Sequence, residues 1–536
     1  MVLTIVSAFS LAACAGSTTS DHSSSTPVPG GTLTYGINDS PSCFDIHANS
    51  KDITAEIQRN VFDSLVSQDD QHQFHPWLAE GWTIADDQKS YTFTLRRDVV
   101  FTDGTPFTAH AVKANLDHIV APATKSEYAV NLLGPYTGTD IIDDYTVRIN
   151  FSAPFASFLQ AASTTYLGIY SPRTLAENAD KLCAGGSVDV GSGPFVFSSY
   201  TKGQSAVMTR NPAYHWAPAN AAHNGPAYLD SLVFRILPED ATRVGALTSG
   251  QIDMARAIPP IQVPTVEAAK GLSLMRTDQP GLTYSIFLNS ASAPLDDQRV
   301  RSAIQQGIDV AEDVKAVYFG QYHRSWGPLS PTTPSYDPSV AESWHYDPDK
   351  AGKLLDEAGW TGRDGEGFRT KNGKRLSLFW PGLPSAGVRD QRDLLEQVAQ
   401  ADLAKIGVEV THPRLTAGDY NARVADGGFH LFSVSWARPE PDLLRLFFHS
   451  ANIPPHGQNV AHLRDPQVDQ WTATGSATTD ERTRDDVYAR TQREVLDNGS
   501  VVPLYVLAAI AGFDDDVHGH AFDASGWMTF YDAWKA

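Results

Sequence analysis

The residues with the most chemical potential in this chain are few and scattered. Three histidine pairs, His72 with His75, His215 with His223 and His518 with His520, could suggest metal binding. Each lies in a loop-like stretch without a third ligand nearby, so no metal site and no cofactor is assigned. Cys43 and Cys183 belong to no CxxC or Cys/His array with zinc spacing. In an oxidising compartment such an even pair suggests a disulfide, and two buried free thiols are the alternative. The chain has no G-x-S-x-G elbow, no H-E-x-x-H pair and no G-x-x-x-x-G-K phosphate loop. Triads assemble in space rather than in sequence, so a hydrolase stays open as a rival reading. The segment Trp436-Ala437-Arg438-Pro439-Glu440-Pro441-Asp442 is richer, placing a large flat apolar surface beside a guanidinium and two carboxylates. A guanidinium fork favours a carboxylate or phosphate over an ammonium. A core indole and a solvated arginine are the bland alternatives.

Positioning such groups takes a scaffold, and the chain is long enough for more than one core. Single cores stop growing near roughly 250–300 residues, and this chain has 536, of which 42% are hydrophobic. Two or three lobes are expected. The net charge of -21 would repel phosphate backbones, and no Lys/Arg cluster offers a basic face, so nucleic acid is excluded as a partner. Tyr91, Phe93 and Leu95 alternate with Thr92 and Thr94 as in a half-buried strand; Val147, Ile149 and Phe151 repeat the pattern. Thr108 is placed to cap a helix with Val112, Leu116 and Ile119 on one face. Later, Asp296 is placed to cap a helix carrying Val300, Ala303, Ile304 and Ile308. Asp347, Pro348 and Gly359 punctuate another helix with Ala351, Leu354, Leu355 and Ala358 inward. A further helix is expected from about Arg389 to Ile406, with Leu394, Leu395, Val398 and Leu403 inward. Strands and helices mixed in this way indicate an α/β fold, and no fixed-period repeat is visible.

The amino-terminal residues predict an address. Val2 to Ala13 are apolar or small, too short for a membrane span of about 20 residues and suited to a signal-peptide core. Leu11-Ala12-Ala13-Cys14 resembles the lipobox of bacterial lipoproteins, in which the cysteine is acylated. Cys14 is therefore expected to carry a lipid anchor, with residues 1–14 as the signal segment. The departure is that no Lys or Arg precedes the apolar run. Residues 15–31, rich in Ser, Thr, Gly and Pro, read as a flexible tether to the outer face of the cell membrane. No later segment reads as a membrane span; Val501 to Phe513, interrupted by Pro503 and Gly512, reads as buried strands.

A larger resemblance rests on the order of several short segments. They are Phe62-Asp63-Ser64-Leu65; Pro76-Trp77-Leu78-Ala79-Glu80-Gly81-Trp82; Tyr91 to Arg96; and Phe101-Thr102-Asp103-Gly104-Thr105-Pro106-Phe107-Thr108-Ala109. Gly191-Ser192-Gly193-Pro194-Phe195, Arg210-Asn211-Pro212-Ala213-Tyr214, Ser249-Gly250-Gln251-Ile252-Asp253 and Pro294 to Ile304 continue the series. Together they resemble the peptide and nickel class of bacterial solute-binding proteins, the family 5 extracellular substrate-binding proteins. The resemblance covers nearly the whole chain after the tether. Some positions have local reasons as well: Gly191 and Gly193 beside Pro194 suit a sharp corner, and Arg299 and Arg301 beside Asp296 and Asp297 suit helix-start electrostatics.

The resemblance implies a type II periplasmic-binding-protein-like α/β fold: two lobes, a hinge, and an extra subdomain on the first lobe. Residues 32–60, 187–283 and 507–536 would form the discontinuous first lobe, 61–186 the subdomain and 289–499 the second lobe. Residues 284–288 and 500–506 would be the hinge strands. The implied function is not enzymatic. It is capture of a small ligand, peptide or peptide-like and anionic ones among them, for delivery to the permease of an ABC importer by a monomeric receptor. A sensory receptor of the same fold would differ only in its partner. Carried over by position, the ligand contacts fall on Asn49 and Ser50 in the 48–51 loop, on Tyr128 of the subdomain, and on Trp436 and Arg438. Oligopeptide binders of the class place a carboxylate shortly after that tryptophan to pair with a peptide's amino terminus. Here Arg438 stands near that place, with Asp442 as the alternative acid.

Overall fold

The computed structural model describes residues 26–384 and 389–536. Cys14 and most of the expected tether lie outside the described residues. Among those residues, no helix is long and apolar enough to cross a membrane.

The first lobe is built on a seven-stranded sheet that collects distant parts of the chain. Its order runs Leu272–Asp278, Ala508–Asp514, Met254–Ala255, Thr32–Ile37, Ser231–Ile236, Ser205–Arg210, Phe195–Thr201. Thr32–Ile37 pairs parallel with its two neighbours, and the other pairs are antiparallel. Leu33, Tyr35, Phe234, Met254 and Phe530 fill one face. Cys43 and Cys183, 140 residues apart in sequence, are joined by a disulfide.

A four-stranded antiparallel sheet, ordered Ala79–Ile84, Ser90–Leu95, Thr146–Phe151, Tyr136–Asp143, forms a separate body. The alternation in the sequence is the cause: Tyr91, Phe93 and Leu95 are fully buried while Thr92 and Thr94 face outward. Phe158 meets the rings of Tyr91, Phe93 and Phe151. Helix Ala109–Val120 buries Val112, Leu116 and Ile119 against this core, with Thr108 at the N-cap position but without a side-chain cap bond. Core membership crosses the limits 61–186. Val61, Phe62, Tyr170 and Leu182 pack in the first-lobe core, whereas Tyr214, Trp216 and Trp527 join the subdomain.

The second lobe centres on a three-stranded sheet, Leu431–Ala437, Gly281–Leu288, Val501–Tyr505, wrapped by helices. Every residue of the last two strands is buried, as a near-continuous apolar run requires. The expected hinge strands 284–288 and 500–506 are thus sheet partners inside the second lobe. The chain crosses between lobes at Gln279-Pro280 and Val506-Leu507, where the Gln279 N–H donates to the Leu507 carbonyl at 2.7 Å. The sequence showed how buried these strands are but not which sheet they join.

Local details differ from expectation in instructive ways. Asp297, not Asp296, caps helix Gln298–Gln306: its carboxylate accepts from the Arg299 N–H and ion-pairs the Arg299 guanidinium. Asp347 caps helix Pro348–Glu357, accepting from the Lys350 N–H at 2.8 Å. The expected helix from Arg389 begins at Arg392, after Asp390 and Gln391 in left-handed conformations. That turn sets Leu395, Ala399 and Leu403 inward and leaves Leu394 exposed, so the predicted inward role of Leu394 is wrong. Gly191 is required by close approach rather than by a special turn, because a Cβ there would collide with the Val61 carbonyl.

Candidate functional site

Three bodies meet around a cavity of about 510 Å³. Ser50, Lys51 and Asp52 of the first lobe, Tyr128, Gln160 and Tyr166 of the subdomain, and Arg389 with Ser435 to Pro439 of the second lobe line it, joined by Arg256 and Trp527.

The second-lobe wall is held by strand geometry. Leu431–Ala437 pairs with Gly281–Leu288, and the Arg438 N–H continues the ladder by donating to the Pro280 carbonyl at 3.0 Å. Gly281, at φ +108°, permits this approach; a side chain there would strike the Trp436 carbonyl. Alternation then turns Trp436 out of the strand toward the cleft. Its indole N–H donates to the Tyr128 hydroxyl at 3.4 Å, with ring centroids 5.6 Å apart, while Phe447 supports its other side. Trp436 is therefore half core residue and half cleft wall, between the two readings the sequence offered. The Arg438 Nε donates to the Gln160 Oε1 at 2.6 Å, whereas its Nη2 is buried without an acceptor. The buried indole N–H of Trp527, on the same cavity, also lacks an acceptor. Unmet buried donors are rare and costly in folded proteins.

The opposite wall is preassembled. Lys51 pairs with Asp39 at 2.8 Å. Arg256 donates to Glu56 at 2.7 Å, to Asn38 at 2.8 Å and to Asp52 at 3.3 Å. Burial raises the Glu56 carboxyl above its ordinary range, with Arg256 opposing. Arg389 reaches from the second lobe to within 3.8 Å of Asp52. The cavity thus carries four cations, Lys51, Arg256, Arg389 and Arg438, against two carboxylates, Asp39 and Asp52, inside a protein of net charge -21. Glu56 behind Arg256 and Glu440 near Arg438 offset part of that positive charge.

Of the residues expected from sequence, the structure brings together Trp436, Arg438, Tyr128 and Ser50. Ser50 donates to Glu127 at 2.7 Å while its carbonyl accepts from Tyr166. Two expected contacts are corrected. Asn49 is turned inward, donating to the Cys43 carbonyl at 2.7 Å and accepting from the Lys51 N–H, so it braces the loop instead of facing a ligand. Asp442 is buried in the second lobe, accepting from Tyr488 at 2.9 Å and pairing with Arg445 at 2.8 Å. Arg256, Arg389, Tyr166, Gln160 and Trp527 were not anticipated, because they come from four separate stretches with no shared spacing. The histidine pairs also disperse: His75 pairs with Asp69, and His223 pairs with Asp532.

Two α/β lobes joined by two crossings, with a subdomain and a lined cleft between them, define a solute-binding protein of the type II periplasmic class. The chain belongs to the bacterial extracellular solute-binding proteins, family 5, whose middle region matches residues 73–454, well over half its length. It is accordingly an extracytoplasmic binding protein of an ABC importer, not an enzyme. Among curated relatives, the glutathione-binding protein GsiB of Escherichia coli K12 is 27% identical over 494 residues, covering 90% of both chains. Among solved structures, NikA from Brucella suis in complex with Fe(III)-EDTA matches with a TM-score of 0.82 and 25% identity, over 94% of this chain and 100% of that one. The oligopeptide-binding protein AppA from Bacillus subtilis, in complex with a nonapeptide, shares the fold at a TM-score of 0.78 and 21% identity, over 95% and 100%.

Proposed function

We propose that this protein captures a small, carboxylate-bearing, peptide-like solute between its lobes and delivers it to the permease as a lipid-anchored monomer. The observation that carries the reading is the pair of buried, acceptor-less donors, Arg438 Nη2 and Trp527 Nε1, on residues that line the same cavity from different bodies. A ligand carboxylate supplies the acceptors they lack. Lys51, Arg389 and Arg256 extend the positive lining, and the Trp436 and Tyr128 rings offer flat apolar surface for the ligand's body. An ammonium group, if the solute carries one, has Asp39 and Asp52 to face. A cavity of about 510 Å³ suits a short peptide rather than a long one. The kinship with a glutathione-binding protein points the same way, since glutathione is a small peptide with two carboxylates.

Ligand contacts to both lobes would favour the closed arrangement over an open one by hinge motion at 279–280 and 506–507. Binding to the native state alone raises stability by about 2.7 kcal/mol at a hundredfold excess over Kd. The test is thermal unfolding of protein proved ligand-free, with reduced glutathione, its diester (both carboxylates blocked, the ammonium kept), an unmodified dipeptide and Fe(III)-EDTA, followed by titration calorimetry. Stabilisation by glutathione and not by the diester supports the reading. Equal response to the diester, or response only to Fe(III)-EDTA, overturns it, the latter in favour of chelate transport.

A further inference from the structure

Beneath the ligand loop lies a cluster that no spacing in the sequence announced. Asp45 and His47 sit on the loop leading to Ser50, and His118 lies 71 residues beyond His47, near the end of helix Ala109–Val120. One oxygen or nitrogen from each of the three side chains falls within 4.8 Å of the others. The two Nδ1 atoms are 3.0 Å apart. His47 is fully buried and Asp45 almost so.

We propose that Asp45, His47 and His118 form a binding site for one divalent transition-metal ion of the zinc class, with both Nδ1 atoms and a carboxylate oxygen as ligands and water completing the shell. Three features argue for it. First, the His47 Nε2 faces the Gly168 carbonyl at 3.1 Å; a carbonyl only accepts, so Nε2 carries the proton and Nδ1 offers a lone pair. A backbone carbonyl holding the far nitrogen is the usual outer support of a metal-bound imidazole. Second, ligands about 2.0–2.2 Å from a tetrahedral zinc stand roughly 3.4 Å apart, so a small rotation of the Asp45 carboxylate closes the set. Third, Asp45 is a buried acid whose foremost charged neighbour is His118, and a cation supplies the compensation that burial demands. The donor set of two imidazoles and one carboxylate matches zinc, nickel or cobalt rather than calcium or magnesium. The ion clasps the cleft-lining loop of the first lobe to the subdomain helix, which fixes Ser50 and Lys51 relative to Tyr128.

The experiment uses full-length protein freed of any affinity tag and stripped with chelator, titrated with Zn²⁺ against a chromophoric competitor and, separately, with Co²⁺. The expected result is one equivalent bound, visible Co²⁺ d–d bands, and a raised melting temperature with Zn²⁺. Since loss of an outer-shell partner alone costs about 10–100-fold in affinity, His118→Ala and Asp45→Asn should each lose at least that much and abolish the cobalt bands. His118 is only half-buried, so its variant should fold; circular dichroism and melting of the metal-free form check this. His72→Ala should bind as the parent does. Absence of stoichiometric binding, or an unchanged cobalt spectrum in His118→Ala, would overturn the proposal and leave a plain hydrogen-bonded histidine pair.

Discussion

Within seven residues, the segment from Trp436 to Asp442 divides into two regions with opposite tasks. Trp436 and Arg438 face the cleft, one with its ring tilted against Tyr128 and the other with a donor left unmet. Glu440 and Asp442 face the other way. Glu440 pairs with Arg484 at 2.5 Å, and Asp442 with Arg445 and Tyr488. Burial pushes the Glu440 carboxyl up, but Arg484 and Arg438 outweigh it and hold it below the usual range. All four polar or aromatic groups look equally available in sequence. A charge whose partners are already in place serves the architecture, whereas an unmet donor beside a cavity is what makes Arg438 the candidate for recognition.

The largest effect is expected from Glu440→Ala. It strands the Arg484 guanidinium, and loss of one member of a buried pair costs about 3–5 kcal/mol. Chemical denaturation should show that loss, while glutathione affinity measured well below the unfolding transition stays within about threefold of the parent. An affinity collapse instead would make the two regions one.

On the first-lobe side the cleft loop is held covalently. Opening the Cys43–Cys183 disulfide with Cys43→Ser and Cys183→Ser should cost about 2–5 kcal/mol, since the bond closes a long loop in the unfolded chain. Equal unfolding midpoints with and without reductant would contradict this.

Arg438→Ala should weaken glutathione binding by about 10–100-fold, as expected for a charged hydrogen bond worth about 1.5–3 kcal/mol. The stability cost should be smaller than that of Glu440→Ala, because the bond to Gln160 and part of the charge compensation of Glu440 are lost while Arg484 stays in place. Arg438→Lys, which keeps charge but not the fork, separates Coulomb attraction from bidentate geometry. Full affinity in Arg438→Ala would remove the arginine from recognition.

The smallest effect concerns pH and contrasts Glu440 with Asp63. Asp63 accepts from Ser192 at 2.9 Å and Trp216 at 3.0 Å, yet burial prevails and pushes its carboxyl up to about 7. The folded state then holds a proton that the unfolded chain releases near pH 4, so this group's stabilisation declines as pH rises from about 4 to about 7. Glu440, with its lowered value, contributes in the opposite sense, losing its stabilisation as pH falls into the carboxylate range. Asp63→Asn should flatten the decline by about 1 kcal/mol between pH 5 and 6; an unchanged slope would show that other groups govern it.

Much of the architecture was legible because it depends on local rules. Alternation at Tyr91-Thr92-Phe93-Thr94-Leu95 specified a strand with one buried face, and Asp347-Pro348 specified where a helix starts. Family motifs spread along the chain carried the lobes and the Trp436 wall. The misses share one cause. Asp297 took the cap from its neighbour Asp296, and Leu394 turned outward, because single-residue register follows from the turn preceding each helix. Asn49 lies in the expected loop, but its amide is taken by the Cys43 carbonyl.

Fold class and family were readable from the chain alone, the first from the periodicity of apolar residues and the second from the order of short motifs that resemble those of the family. What only the tertiary structure decided was which polar groups are already satisfied. Arg256 and Arg389 reaching Asp52, Gln160 meeting Arg438, and His47 meeting His118 are all long-range encounters. A charge or an imidazole acquires its role from partners that sequence distance conceals, and those partners are fixed only when separate cores pack against one another.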